Sequence, residues 1–221
     1  MKTYLKFIAF IPLFSLIACD KEDDNTQIQQ EDYFNIKVGN TWVYKNYTRQ
    51  SNQELQVSNI LDSVIITDKF SFENKEYFVR ETFKKNLDTD HIYLFSKKYI
   101  NINEKGHLAL LEDHPLEKNN QKEYVLHPGT DKEFVFENEI IIGDVSYGNV
   151  VWRLENNQNI NIGENQYVTL PFIGRLQPNE IVDRELVAES HYVINIGLVK
   201  EVSPGISGGL VWERHLLSYK N

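Results

Sequence analysis

Apolar positions in this chain alternate far more often than they recur every three or four residues. Thr41-Trp42-Val43-Tyr44-Lys45-Asn46-Tyr47 is rich in β-branched and aromatic residues and follows a Gly39-Asn40 turn signal, which predicts a strand. Val57 to Thr67 carries Ile60, Val64 and Ile66 on one side and Val57, Leu61 and Ile65 on the other. Asn74-Lys75 suits a turn between Phe70-Ser71-Phe72 and Tyr77 to Phe83. In the latter, Tyr77, Val79 and Phe83 share one face, and Arg80 and Thr82 share the other. That is the period-two pattern of a half-buried strand. Short runs at Ile92–Phe95, Tyr99–Ile102, His107–Leu111, Tyr124–Leu126, Phe134–Phe136, Ile140–Ile142 and Val150–Leu154 continue it, with residues 112–122 reading as a loop.

Pro171 splits Tyr167–Leu170 from Phe172–Ile173 and predicts a sheet edge or a bend, because proline cannot donate to the ladder. Leu186 to Val202 is the longest alternating segment. A strand of that length must bend or carry a bulge, with Gly197 the natural place. Ser203 to Gly209 turns the chain into a last strand, Leu210 to Tyr219. A helical stripe over three turns is found nowhere, and residues 174–186 leave room for one short helix. The expectation is an all-β fold, mainly an antiparallel meander. It should be sandwich-like or a curved half-barrel sheet, with at most one or two short helices.

One stretch departs from the alternation. Phe7 to Ala18 is an unbroken apolar run of twelve residues behind Lys2 and Lys6. A membrane-spanning helix needs about 20 apolar residues, so the run fits a secretory signal, and Pro12 inside it argues against a permanent helix. It ends in Leu16-Ile17-Ala18-Cys19, which resembles the lipobox of bacterial lipoproteins. The resemblance implies diacylglyceryl transfer to the Cys19 thiol, cleavage before Cys19 and acylation of the new amino terminus. The plain alternative is an ordinary secretory signal with an incidental cysteine. The following Asp20-Lys21-Glu22-Asp23-Asp24 resembles the acidic export signal of surface lipoproteins in some diderm bacteria. Another lipoprotein convention reads aspartate after the cysteine as inner-membrane retention. Lys21 followed by three acids fits the export pattern better, so the expected location is the cell surface of the outer membrane, with the periplasmic face as alternative. The chain then divides into a signal at 1–18, the lipidated cysteine with a polar tether at 19–31, and one β-rich domain at 32–221.

Charge and cysteine use narrow the classes further. The chain of 221 residues has a formal charge of −9, and losing residues 1–18 removes two lysines and no acid, which makes it −11. Nucleic acid is disfavoured as a partner, since that affinity comes from Lys and Arg displacing counterions. Cys19 is the only cysteine, so once lipidated it leaves no disulfide, thiol nucleophile or cysteine metal ligand. Stability must come from buried apolar surface, to which twelve Phe, twelve Tyr and three Trp contribute large areas.

Two further stretches, Tyr33-Phe34-Asn35-Ile36-Lys37-Val38-Gly39-Asn40-Thr41-Trp42-Val43-Tyr44 and Ile196-Gly197-Leu198-Val199-Lys200-Glu201, together resemble a group of small, mostly uncharacterised β-rich bacterial lipoproteins. The resemblance covers the two ends and implies a meandering β domain reminiscent of curved-sheet carriers; it carries no catalytic residue.

Other chemistry is sparse. Gly205-Ile206-Ser207-Gly208-Gly209 has the letters of a nucleophile elbow but a strand-like segment after it, which fits a hairpin turn better. Asp88-Thr89-Asp90-His91 and Glu112-Asp113-His114 are the best oxygen and imidazole clusters. They read as solvated loops, because a calcium loop needs more ligands and a defined glycine turn. No cofactor or metal is expected. Trp42, Tyr44, Trp152 and Trp212 are candidate ligand-facing aromatics, with core packing as the plainer role. The expected function is non-enzymatic binding of a protein or glycan partner by a lipid-anchored domain served by the lipoprotein processing and export machinery. The alternatives are a carrier or chaperone of a lipophilic ligand in a concave sheet, and a carboxylate-based hydrolase.

Overall fold

The computed structural model describes residues 33–50, 53–116, 123–206 and 209–221. The signal, Cys19, the acidic run 20–24 and the tether lie outside the described residues, as do Ser207 and Gly208. Every regular element among the described residues is a strand, thirteen in all. They are β1 (Thr41–Gln50), β2 (Gln56–Phe72), β3 (Lys75–Asn86), β4 (Ile92–Ile102), β5 (Leu108–Leu111), β6 (Tyr124–His127), β7 (Val135–Ile142), β8 (Val145–Leu154), β9 (Gln158–Ile162), β10 (Asn165–Leu176), β11 (Leu186–Val193), β12 (Gly197–Pro204) and β13 (Leu210–Lys220).

All pairings are antiparallel and nearly all are between chain neighbours. The sheet order is β6-β5-β4-β3-β2-β1-β13-β12-β11-β10-β8-β7, with β9 added to β10. The first and last strands therefore meet in the middle, with Thr41 opposite Lys220 and Gln50 opposite Leu210. Two meanders spread from that seam, one toward β6 and one toward β7. The sheet curls until its β6 side reaches back to β10: the His127 ring nitrogen Nε2 lies 3.0 Å from the Leu170 carbonyl. The result is an all-β, barrel-like, nearly closed antiparallel sheet.

The curl explains why apolar residues are needed on both faces of some strands. On β3, Phe78 and Arg80 point inward, while Tyr77 and Val79 join Tyr99 and Leu111 in a separate buried cluster. The expected half-buried strand is thus buried on both faces. The main core joins residues from both meanders, among them Tyr44, Ile66, Phe172 and Val199. Burial of each such side chain is worth about 1.5–3 kcal/mol.

Several local expectations are corrected. Residues 177–185 are irregular, so the 174–186 region holds no helix; β10 runs on to Leu176, whose side chain packs with Val150, Val182 and Leu186. Leu186–Val202 is two strands rather than one, because residues 194–196 turn the chain and β12 pairs back on β11. The turn before β3 is Glu73-Asn74, both with positive φ, one residue earlier than expected. Strand β9 has only two isoleucines among polar residues, Gln158-Asn159-Ile160-Asn161-Ile162, and draws its stability from pairing with β10.

Pro171 is inside the sheet and fully buried, not at an edge. It is tolerated there because β10 changes partner at that point. Thr169 faces Gln158 of β9 and Phe172 faces Leu154 of β8, so no ladder bond is asked of the missing N–H. Its carbonyl accepts from Glu155 N at 2.9 Å.

Candidate ligand cavity

The concave face of the sheet is not filled. An inner cavity of about 210 Å³ has walls of Trp42, Val64, Ile66, Ile100 and Leu198, from β1, β2, β4 and β12. Phe34 and Ile36, which precede β1, line it as well. That segment is tied down: Gly39 N donates to the Ile66 carbonyl at 2.8 Å, and the Tyr33 carbonyl accepts from Asn195 N at 3.0 Å. A second, more polar cavity of about 400 Å³ carries Thr48, Ser58, Asp62, Lys84 and the exposed Trp212 on its walls. Glu201 and Arg214 line both cavities.

Four ionisable groups cluster on the inner faces of β2, β3, β12 and β13. Arg214 and Glu201 face each other across β13 and β12. Arg214 Nε lies 2.6 Å from Glu201 Oε2, an ion-pair contact off the line of a hydrogen bond. The Arg214 guanidinium also sits 5.0 Å from the centre of the Tyr44 ring, a cation–π distance. Asp62, opposite Tyr44 in the β1–β2 register, is buried and its Oδ1 has no hydrogen-bond partner.

Arg80 lines the inner cavity. Desolvation, and then the like charge of Arg214, lower its pKa from the ordinary guanidinium value. Burial pushes Tyr44 up to about 12, partly offset by Arg214, and raises Tyr192 too. Both phenols stay neutral, and the Tyr44 hydroxyl donates to the Leu198 carbonyl at 3.0 Å.

The four candidate aromatics separate. Trp42 and Tyr44 are brought together on the wall of the inner cavity, Trp42 with its indole Nε1 donating to the Ile196 carbonyl at 2.5 Å. Trp152 lies elsewhere, half-buried against Phe172 and donating to Asn138 Oδ1 at 3.1 Å. Trp212 is 47% exposed beside the polar cavity. They form no common platform.

The residues that sequence reasoning missed are Arg80, Arg214, Glu201 and Asp62. A charged residue within an alternating strand reads as a solvent position, and nothing in the letters says that the sheet curls around it. The available signal was Arg80 between Phe78 and Thr82, a cation on a face with an aromatic neighbour.

The remaining chemistry is structural. Asp90 pairs with Lys85 at 2.8 Å, and His114 stacks on Phe70 at 4.8 Å. The buried Thr169 and His191 and the partly exposed Glu189 form a hydroxyl–imidazole–carboxylate chain, with contacts of 3.1 and 2.8 Å. The threonine hydroxyl reaches the Gln158 carbonyl at 3.1 Å and is closed off from solvent, so the chain ties β9, β10 and β11 together. Among the described residues no three His, Cys, Asp or Glu side chains converge as a metal site. At the glycine-rich turn, Gly205 N donates to the Leu210 carbonyl at 2.6 Å, which closes the β12–β13 hairpin.

No protein-family model matches the chain, and no curated protein matches it. Solved structures do. A protein from Bacteroides fragilis NCTC 9343, named as exported and with a YmcC-like fold, is 10% identical; the match covers 86% of this chain and 99% of that one, with a TM-score of 0.50. A protein from Parabacteroides distasonis ATCC 8503 named as a lipoprotein is 14% identical, over 85% and 98% of the two chains, with a TM-score of 0.48. A LolA superfamily protein from Nitrosomonas europaea is 10% identical, over 87% and 90%, with a TM-score of 0.26. The first likeness shows the fold alone; the other two score lower and carry no argument.

Proposed function

We propose that this chain is an exported, lipid-anchored protein whose β domain shelters a lipophilic small molecule in its concave cavity. The observation that carries the reading is the inner cavity, walled by Trp42, Val64, Ile66, Ile100 and Leu198 and sharing Glu201 and Arg214 with a more polar cavity. Ligand sites of small molecules are concave and mostly apolar, with a few placed polar groups, and empty apolar space in a core costs stability that a simple packing role would have no reason to bear. The reading through exposed aromatics loses its main support, since Trp42 and Tyr44 are buried.

Attachment rests on the Leu16-Ile17-Ala18-Cys19 resemblance, and the naming of a protein of this fold as exported agrees with it. One acyl chain holds a protein to a bilayer only marginally, whereas two or three hold it firmly. The acidic run 20–24 would direct the anchored protein to the outer-membrane surface, with the lipoprotein processing and export machinery as its partners.

The test uses the Cys19→Ala chain, which should lose membrane partitioning but keep the domain. Titrated with the uncharged dye N-phenyl-1-naphthylamine, it should give saturable, blue-shifted fluorescence. Val64→Phe, folded by circular dichroism, should lose that signal by filling the cavity. Dye binding that ignores Val64→Phe, or no saturable binding at all, sinks the carrier reading. Cys19→Ala that still partitions like wild type sinks the anchor.

A further inference from the structure

We infer that the cavity selects a single-chain amphiphile with an anionic head group, whose carboxylate or equivalent oxyanion is received by the Arg80 guanidinium while its tail lies along the apolar wall. This rests on the carrier reading above and specifies its ligand.

The geometry sets Arg80 apart from Arg214, the other cation on the wall of the inner cavity. Arg214 is compensated: Glu201 is 2.6 Å away and the Tyr44 ring lies beneath it. Lys98, on the strand beside Arg80, is paired with Glu112 at 2.7 Å. Among the described residues, no carboxylate forms an ion pair with the Arg80 guanidinium and no acceptor hydrogen-bonds to it. The acid whose field reaches it is Glu201, already held by Arg214.

A cation set among Phe34, Ile66 and Ile100 without a counter-charge is costly in the free protein. Its five N–H donors match an oxyanion in two-point geometry, and such charge-assisted pairs are the strong ones. The neighbouring acids argue against the opposite polarity. Glu201 is committed to Arg214, and Asp62 lines the polar cavity rather than the inner one. A cationic head would meet two guanidinium groups in the inner chamber. An uncharged head would leave Arg80 desolvated and unpaired, which is the penalty that generates selectivity.

The experiment compares ligands sharing one tail on the wild-type fold carrying Cys19→Ala. Decanoate, 1-decanol, decyltrimethylammonium and acetate are each titrated below micelle concentration by displacement of the uncharged naphthylamine dye at neutral pH. Decanoate should displace it at least tenfold more tightly than decanol, and decyltrimethylammonium should bind more weakly than decanol. Acetate should not displace it, because the tail supplies most of the binding. Arg80→Gln should bring decanoate down to the level of decanol while leaving decanol unchanged, and Arg80→Lys should retain part of the preference. The wild-type comparison decides the matter even where an Arg80 variant fails to fold. Equal affinity for acid and alcohol overturns this inference and leaves the carrier reading standing. Tighter binding of the cationic amphiphile overturns it as well. If the dye binds and neither acid nor alcohol displaces it, the inference is overturned and the cavity is a site for another shape. If the dye does not bind either, both readings fall together.

Discussion

The indole of Trp42 donates to the carbonyl of Ile196, joining the strand that opens the domain to the turn between β11 and β12. One step further along, the Tyr44 hydroxyl donates to the Leu198 carbonyl. The two sequence stretches singled out at the ends of the domain are thus a lock between them, across the sheet's interior. Gly197 sits inside that lock with φ of +95°, a backbone conformation that favours glycine, while a Cβ there would stand in ordinary contact with the indole at 3.5 Å. Tyr44→Phe deletes one hydroxyl and should cost about 1 kcal/mol. Trp42→Phe also removes part of the packed ring and should cost about 1–3 kcal/mol. Urea unfolding curves measure both; unchanged midpoints would mean that the lock is decorative.

Gly174 and Trp152 face each other across β10 and β8, with the indole lying against the glycine. A Cβ at Gly174 would lie 2.5 Å from the Trp152 ring, which no real contact allows. The indole is held from the other side by its bond to Asn138 and by Phe172, so it has little room to retreat. Gly174→Ala should therefore destabilise by about 1–3 kcal/mol, as overpacked cores do. Adding Trp152→Leu should recover part of the loss relative to Trp152→Leu alone, and simple additivity of the two changes would refute the clash.

The strands and their antiparallel pairing were legible because alternation is a local signal. Tyr77 to Phe83 and Leu210 to Tyr219 announce themselves residue by residue. The hairpin at residues 194–196 was not, because Ile194 and Ile196 continue the apolar rhythm straight through the turn. Asn195 takes a positive φ at that point, a conformation asparagine tolerates better than most, and its presence beside Gly197 was the available hint. The cavity was illegible for a different reason. Whether Arg80 faces solvent or a chamber depends on sheet curvature, set by register shifts such as those at Ile66/Asp68 and Thr82/Phe83. Bulges of that kind leave no letter pattern of their own. Trp42 and Tyr44, candidates from the sequence, line the inner cavity, and so does Arg80, which alternation alone puts merely on the face of β3 opposite Tyr77 and Val79.

The three tryptophans should be separable by solvent quenching. Trp42 is buried, Trp152 half-buried and Trp212 exposed at 47%. Acrylamide should quench wild-type emission in two components, and Trp212→Phe should abolish the steep one while leaving thermal stability nearly unchanged, since exposed positions contribute little. A steep component that survives Trp212→Phe would place another indole at the surface.

His127 should make the fold sensitive to mild acid. It is buried among Tyr33, Tyr192 and Phe172. Gly129 N donates to its Nδ1 at 3.1 Å, and Nε2 faces the Leu170 carbonyl at 3.0 Å. One nitrogen thus accepts and the other donates, an arrangement that suits the neutral ring and has no place for a second proton. Burial above all lowers its pKa from 6.5 to about 4, with His107 adding to the shift and the Leu170 bond opposing it. Above pH 6.5 the ring is neutral both folded and unfolded, and its full contribution is present. Between 6.5 and 4 the unfolded chain binds a proton that the folded chain refuses, so stability falls as pH falls. Below about 4 both forms are protonated and the loss levels off, having reached at most about 3 kcal/mol. Unfolding free energies at pH 7 and pH 5 should differ by a large part of that amount in wild type, and by clearly less in His127→Gln. A variant with the same acid slope as wild type would show that the sensitivity resides elsewhere.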